Sequence, residues 1–138
     1  MPVSQSPHVP LTAGQTAILL AAGAAFWFGF AIATRLIGAG NFLDGGARTI
    51  ATFALLVPVS IPVVALIRSV AGLSAAQLLP GMGLATMAAT LCDGVTFTWF
   101  PHLYGVTGAA ALPVSAAVLW GAGAGLLVAW LMGRRKGA

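Results

Sequence analysis

Four apolar stretches, each long enough to cross a lipid bilayer, take up most of this 138-residue chain. They run over about 13–37, 48–70, 75–100 and 109–132. At ~1.5 Å per residue, about 20 helical residues span the ~30 Å hydrocarbon core. The only charges between residues 13 and 132 are Arg35, Asp44, Arg48, Arg68 and Asp93. A soluble domain carries roughly 25% charged residues, whereas this chain has 6% charged and 59% hydrophobic residues. So few charges cannot make a water-facing surface. Backbone polar groups inside lipid must be satisfied within the segment, which selects helices. The expected fold is all-α, an integral membrane bundle of four transmembrane helices.

The segments leave short ends. Residues 1–12 hold Pro2, Pro7 and Pro10 among polar residues and read as a flexible tail. This tail lacks the basic start of a secretory signal, so the first span is not read as a cleaved leader. His8 lies in the tail with no acid or second His nearby. The transmembrane domain is expected over 13–133, and 134–138 form a basic tail containing Arg134, Arg135 and Lys136. The net charge of +4 is scattered. It points to anionic headgroups of a bilayer and not to nucleic acid. Cys92, the single cysteine, excludes an intrachain disulfide and a cysteine-based metal cluster.

Local signals place the helix ends. Thr12 can cap the first helix, with Gln15 as a weak third-position partner, and Ser74-x-x-Gln77 matches a capping box. Pro58 and Pro62 lie on one face of the second segment. Each removes a backbone bond, so a kink is expected, with Ser60 or a neighbouring helix serving the freed carbonyls. Asp44 is placed to cap the second helix or to pair with Arg48. Pro101 ends the third, with Trp99 and Tyr104 expected in the interfacial aromatic belt. Trp27 stands mid-membrane, away from that belt, and is expected to fill a groove opposite the small residues Ala21–Ala25. Gly121 and Gly125 form a GxxxG pair that favours close helix crossing, within the chain or in a homo-oligomer.

Asp93 is the one acid inside an apolar segment. A carboxylate there needs a partner, a wet cavity or a proton. Thr86, Thr90 and Thr96 share its side of the helix, and this polar stripe should face the bundle interior. Four spans put both termini on one side. With that side cytoplasmic, Arg68, Arg134, Arg135 and Lys136 lie inside, and Arg35 and Arg48 outside, as the positive-inside rule prefers. Arg35 then sits near the outer end of the first span and can snorkel towards Asp93 if the first and third helices are neighbours. Asp44, Arg48, His102 and Tyr104 would ring the same outer mouth.

Several short motifs carry a resemblance. They are Thr34-Arg35-Leu36-Ile37-Gly38, Asp93-Gly94, Phe100-Pro101-His102-Leu103-Tyr104-Gly105 and Leu119-Trp120-Gly121-Ala122-Gly123. In these the chain resembles the DUF5367 family of small bacterial four-helix membrane proteins of unknown function. The resemblance implies a bacterial inner-membrane location and four spans. It implies no activity. An enzyme is not expected: the chain has no glutamate, no lysine before Lys136 and no clustered metal ligands, and no cofactor is implied. The favoured expectation is a structural or accessory membrane protein with a buried Arg35–Asp93 pair fixing helix register. The alternative is an oligomeric small transporter or channel that uses Asp93 as a proton or cation site.

Overall fold

The structure, a computed structural model, describes residues 9–134. Four long helices form it: α1 (Ala13–Ile37), α2 (Ala47–Ala71), α3 (Ala75–Trp99) and α4 (Ala111–Arg134). Short 3-10 turns occupy Ala39–Asn41, Pro101–Tyr104 and Gly108–Ala110. All four long helices are apolar and long enough to span a membrane. Leu55, Leu66, Leu91 and Leu119 stand exposed on their outer faces, where a soluble protein would carry charge. The basic tail residues 135–138 and the tail residues 1–8, including His8, lie outside the described residues.

The capping signals act as local chemistry dictates. Ser74 and Gln77 form a complete capping box at α3. Thr12 and Gln15 form a second at α1, stronger than the sequence suggested, because the Gln15 side chain does accept from the Thr12 backbone N–H at 3.0 Å. The expected tail is also shorter. The Pro10 carbonyl accepts a bond from Gln77 Nε2 at 2.9 Å, and Leu11 packs against the core. Asp44 takes both expected roles. Its Oδ1 accepts from the Gly46 N–H at 2.8 Å and the Thr49 N–H at 3.4 Å, and its Oδ2 lies 3.9 Å from Arg48 Nε. The Gly46 bond, first among several effects, holds the exposed Asp44 carboxyl below its ordinary range.

Helix α2 continues through Pro58 and Pro62. Ser60 does not serve a carbonyl that either proline frees. It bonds the Leu56 carbonyl at 2.7 Å, whereas the prolines release those of Ala54 and Pro58. Helix α4 also bonds to this helix near the prolines, but at the Phe53 carbonyl, to which Trp120 Nε1 donates at 2.9 Å and which neither proline frees.

Helix α1 packs along α3, α3 along α4, and α4 along α2. Helices α1 and α2, although consecutive, touch only sparsely. The closest approach is at Gly23, where a Cβ would stand 2.1 Å from the Ala85 carbonyl oxygen. Only a residue without a side chain lets α1 lie so near α3. Two apolar clusters result. One gathers Leu19, Val64, Leu78, Met82 and Val128 near the α1 N-terminus. The other gathers Ala31, Leu43, Tyr104, Val106 and Val114 at the opposite end, with Trp27, Phe30 and Phe97 packed on it.

Candidate functional site

Helix α3 carries the polar stripe inward, as expected. Asp93 is 7% exposed and Thr96 is buried, while Thr86 and Thr90 are partly buried. The threonine hydroxyls turn back on their own helix: Thr90 bonds the Thr86 carbonyl at 2.9 Å and Thr96 the Cys92 carbonyl at 2.8 Å. Thr86, Thr90 and Asp93 line a cavity of about 120 Å³ walled by all four helices. Its remaining wall is almost wholly apolar, with Phe26, Trp27 and Phe30 of α1 facing Leu56, Val59 and Val63 of α2.

The expected ion pair does not form. Asp93 accepts a hydrogen bond from the Tyr104 hydroxyl, and no cationic side chain reaches it among the described residues. Arg35 instead donates from Nη1 to the His102 carbonyl at 3.1 Å and stays exposed. The reason is axial position. Helices α1 and α3 are neighbours, but from the Gly23–Ala85 contact Arg35 lies twelve residues on and Asp93 eight. That difference is about 6 Å along the helix at ~1.5 Å per residue. The Pro101–Tyr104 turn occupies the gap and delivers a phenol to the carboxyl first.

Tyr104, expected on the aromatic belt, is turned into the bundle. It is fully buried (0% exposed), stacked on Phe97 with ring centroids 4.6 Å apart and edge-on to Phe30 at 6.2 Å. The chain reverses after it at Gly105, whose φ of +73° suits glycine. A Cβ at Gly105 would lie 3.2 Å from the Arg35 Cα. Arg35 is thus a positioning residue: it packs on and bonds to the turn that carries Tyr104. Of the residues expected around an outer mouth, Tyr104 turns inward. His102 keeps its side chain exposed beside Phe100, and Asp44 pairs with Arg48.

Two polar atoms beside this turn are buried without an acceptor or donor in bonding geometry: the Trp27 Nε1–H, which lies next to the Tyr104 hydroxyl, and the Thr34 hydroxyl. Trp27 is a member of the site that sequence reasoning placed only as a groove filler. Its mid-membrane position was the available signal. Gly121 and Gly125 line the cavity, so this GxxxG pair borders the interior space. Among the described residues no three His, Cys, Asp or Glu side chains converge as metal ligands.

The arrangement can receive a proton or a cationic group at one end of an apolar chamber. No family model, no curated protein and no solved structure matches this chain.

Proposed function

We propose that this chain is a small membrane transporter in which Asp93 is the proton- or cation-accepting group. One observation carries the reading: a cavity walled by all four helices reaches a buried carboxyl whose only protein partner among the described residues is a neutral phenol. A carboxylate inside a membrane needs charge compensation. Among the described residues no side chain supplies it, which leaves a proton or a cation from outside as the source. A structural ion pair would have sealed the same position.

The setting that goes with this reading is a bacterial cytoplasmic membrane, in a protein related to the DUF5367 family and without enzymatic activity. Both termini lie in the cytoplasm. The placement of Arg68 and Arg134 at one end of the bundle, continued in the sequence by Arg135 and Lys136, supports that orientation.

The test is flux into liposomes holding the purified protein, under an imposed pH gradient and under imposed sodium or organic-ammonium gradients. Wild type should carry flux above empty vesicles, Asp93→Asn should lose it, and Asp93→Glu should keep a part. Equal flux through wild type and Asp93→Asn, or none above empty vesicles under any gradient, overturns the reading.

A further inference from the structure

Resting on Asp93 as a cation-accepting group, we infer that the cavity takes a small lipophilic ammonium, a primary amine on one ring or branched chain of about five carbons. The walls decide against a hard inorganic cation. Such ions ask for about six oxygen ligands. This cavity offers one carboxyl and the hydroxyls of Ser60, Thr86 and Thr90, with the rest of its wall apolar. Most of the ion's water would be stripped without replacement. An alkylammonium divides as the cavity does. Its head meets Asp93, and its hydrocarbon meets the Trp27, Phe30, Leu56 and Val63 side chains that line the same cavity.

Volume sets the size. An engineered apolar cavity of about 150 Å³ accommodates benzene, so about 120 Å³ admits one small ring. The route of entry follows from the sparse α1–α2 contact. Phe26 and Val59 line the cavity and are also 52% and 51% exposed. The chamber therefore opens sideways, between α1 and α2, at mid-helix depth. In a bilayer that opening faces acyl chains, where a lipophilic amine partitions. An alcohol of the same shape could bond Asp93, but it would leave the carboxylate charge uncompensated.

The experiment is thermal unfolding of the full chain in nanodiscs with cyclopentylammonium chloride, cyclopentanol or sodium chloride, each at matched ionic strength. Cyclopentylammonium should raise Tm saturably, as a ligand of the folded state does. Its half-saturating concentration should rise at least tenfold in Asp93→Asn and in Ala89→Leu, which fills the cavity and leaves the carboxyl in place. Ala89→Leu keeps the test valid if Asp93→Asn fails to fold. Equal stabilisation by cyclopentanol, stabilisation by sodium alone, or ammonium binding indifferent to both variants overturns the inference; the last result would mean an occupant elsewhere, such as a site among the lipids. The two proposals fail separately. If proton or sodium flux depends on Asp93 while cyclopentylammonium neither binds nor competes, only the ligand class is wrong. If no flux depends on Asp93, the transport reading itself falls.

Discussion

Among the polar side chains that helix α3 buries, Gln77 near its start and Asp93 near its end have opposite surroundings. Gln77 is saturated. Its Nε2 donates to the Pro10 carbonyl at 2.9 Å and to Gln15 Oε1 at 3.2 Å, and its Oε1 accepts from the Ser74 N–H at 3.1 Å and from Gln15 Nε2 at 3.5 Å. The two capping boxes of α1 and α3 are thereby tied side by side above a filled apolar cluster. Asp93 has one phenolic donor and borders a cavity. A polar group whose every bond is met within the fold serves the fold. Under the proposed transport role, a polar group left with spare capacity beside open space is held for something that arrives.

The contrast can be broken at several points. Gly23→Ala should have the largest effect, because its Cβ would collide with the Ala85 backbone that joins the two regions. A loss of about 3 kcal/mol is expected from forced separation of packed elements, measurable by unfolding in a single detergent. Gln77→Ala comes next, leaving the Pro10 carbonyl and the Ser74 N–H without the partner that ties the two helix starts together. Unmet part-buried bonds of this kind cost about 2 kcal/mol. Tyr104→Phe should cost a similar or slightly smaller amount, roughly 1–2 kcal/mol, by removing the donor to Asp93.

Double-mutant cycles sharpen the comparison. Tyr104→Phe with Asp93→Asn should be non-additive by about 1 kcal/mol, while Arg35→Gln with Asp93→Asn should couple more weakly, since Arg35 reaches Asp93 only through the turn that carries Tyr104. Strong coupling between Arg35 and Asp93 would restore the ion pair and remove the motive for a transport role. The smallest effect belongs to Asp44. Its carboxyl is held below its ordinary range when folded, so its contribution is present above the unfolded pKa of about 3.9 and fades as pH falls through the lower folded value. Asp44→Asn should therefore flatten the acid limb of the Tm–pH curve slightly and leave neutral pH almost untouched.

What the residues announced in advance was local. Hydropathy marked the four spans, and the Ser74–Gln77 spacing located the start of α3, because each depends on near neighbours in the chain. The inward turn of Asp93 was also legible, since a lone acid cannot face lipid. Its partner was not. Eleven residues separate Asp93 from Tyr104, and their meeting depends on the return of the chain after Pro101 and on the left-handed Gly105 seated against Arg35. The side pocket was hidden for the same reason. It exists because α1 prefers α3 over its sequence neighbour, a choice made by Gly23 meeting Ala85 across 62 residues.

That neighbour order bears on how the protein is made. A chain emerging from the ribosome releases α1 and α2 first, yet this pair shares little surface. The early hairpin must wait in the bilayer for α3, which supplies the face that α1 needs, and then for α4, which captures α2. Assembly is therefore completed only by the last helix to be synthesised, and a nascent chain halted after Ala71 would hold two spans with almost nothing to say to each other. The half-made protein is the form most exposed to membrane proteases, and the speed of delivering the second hairpin sets how long that exposure lasts.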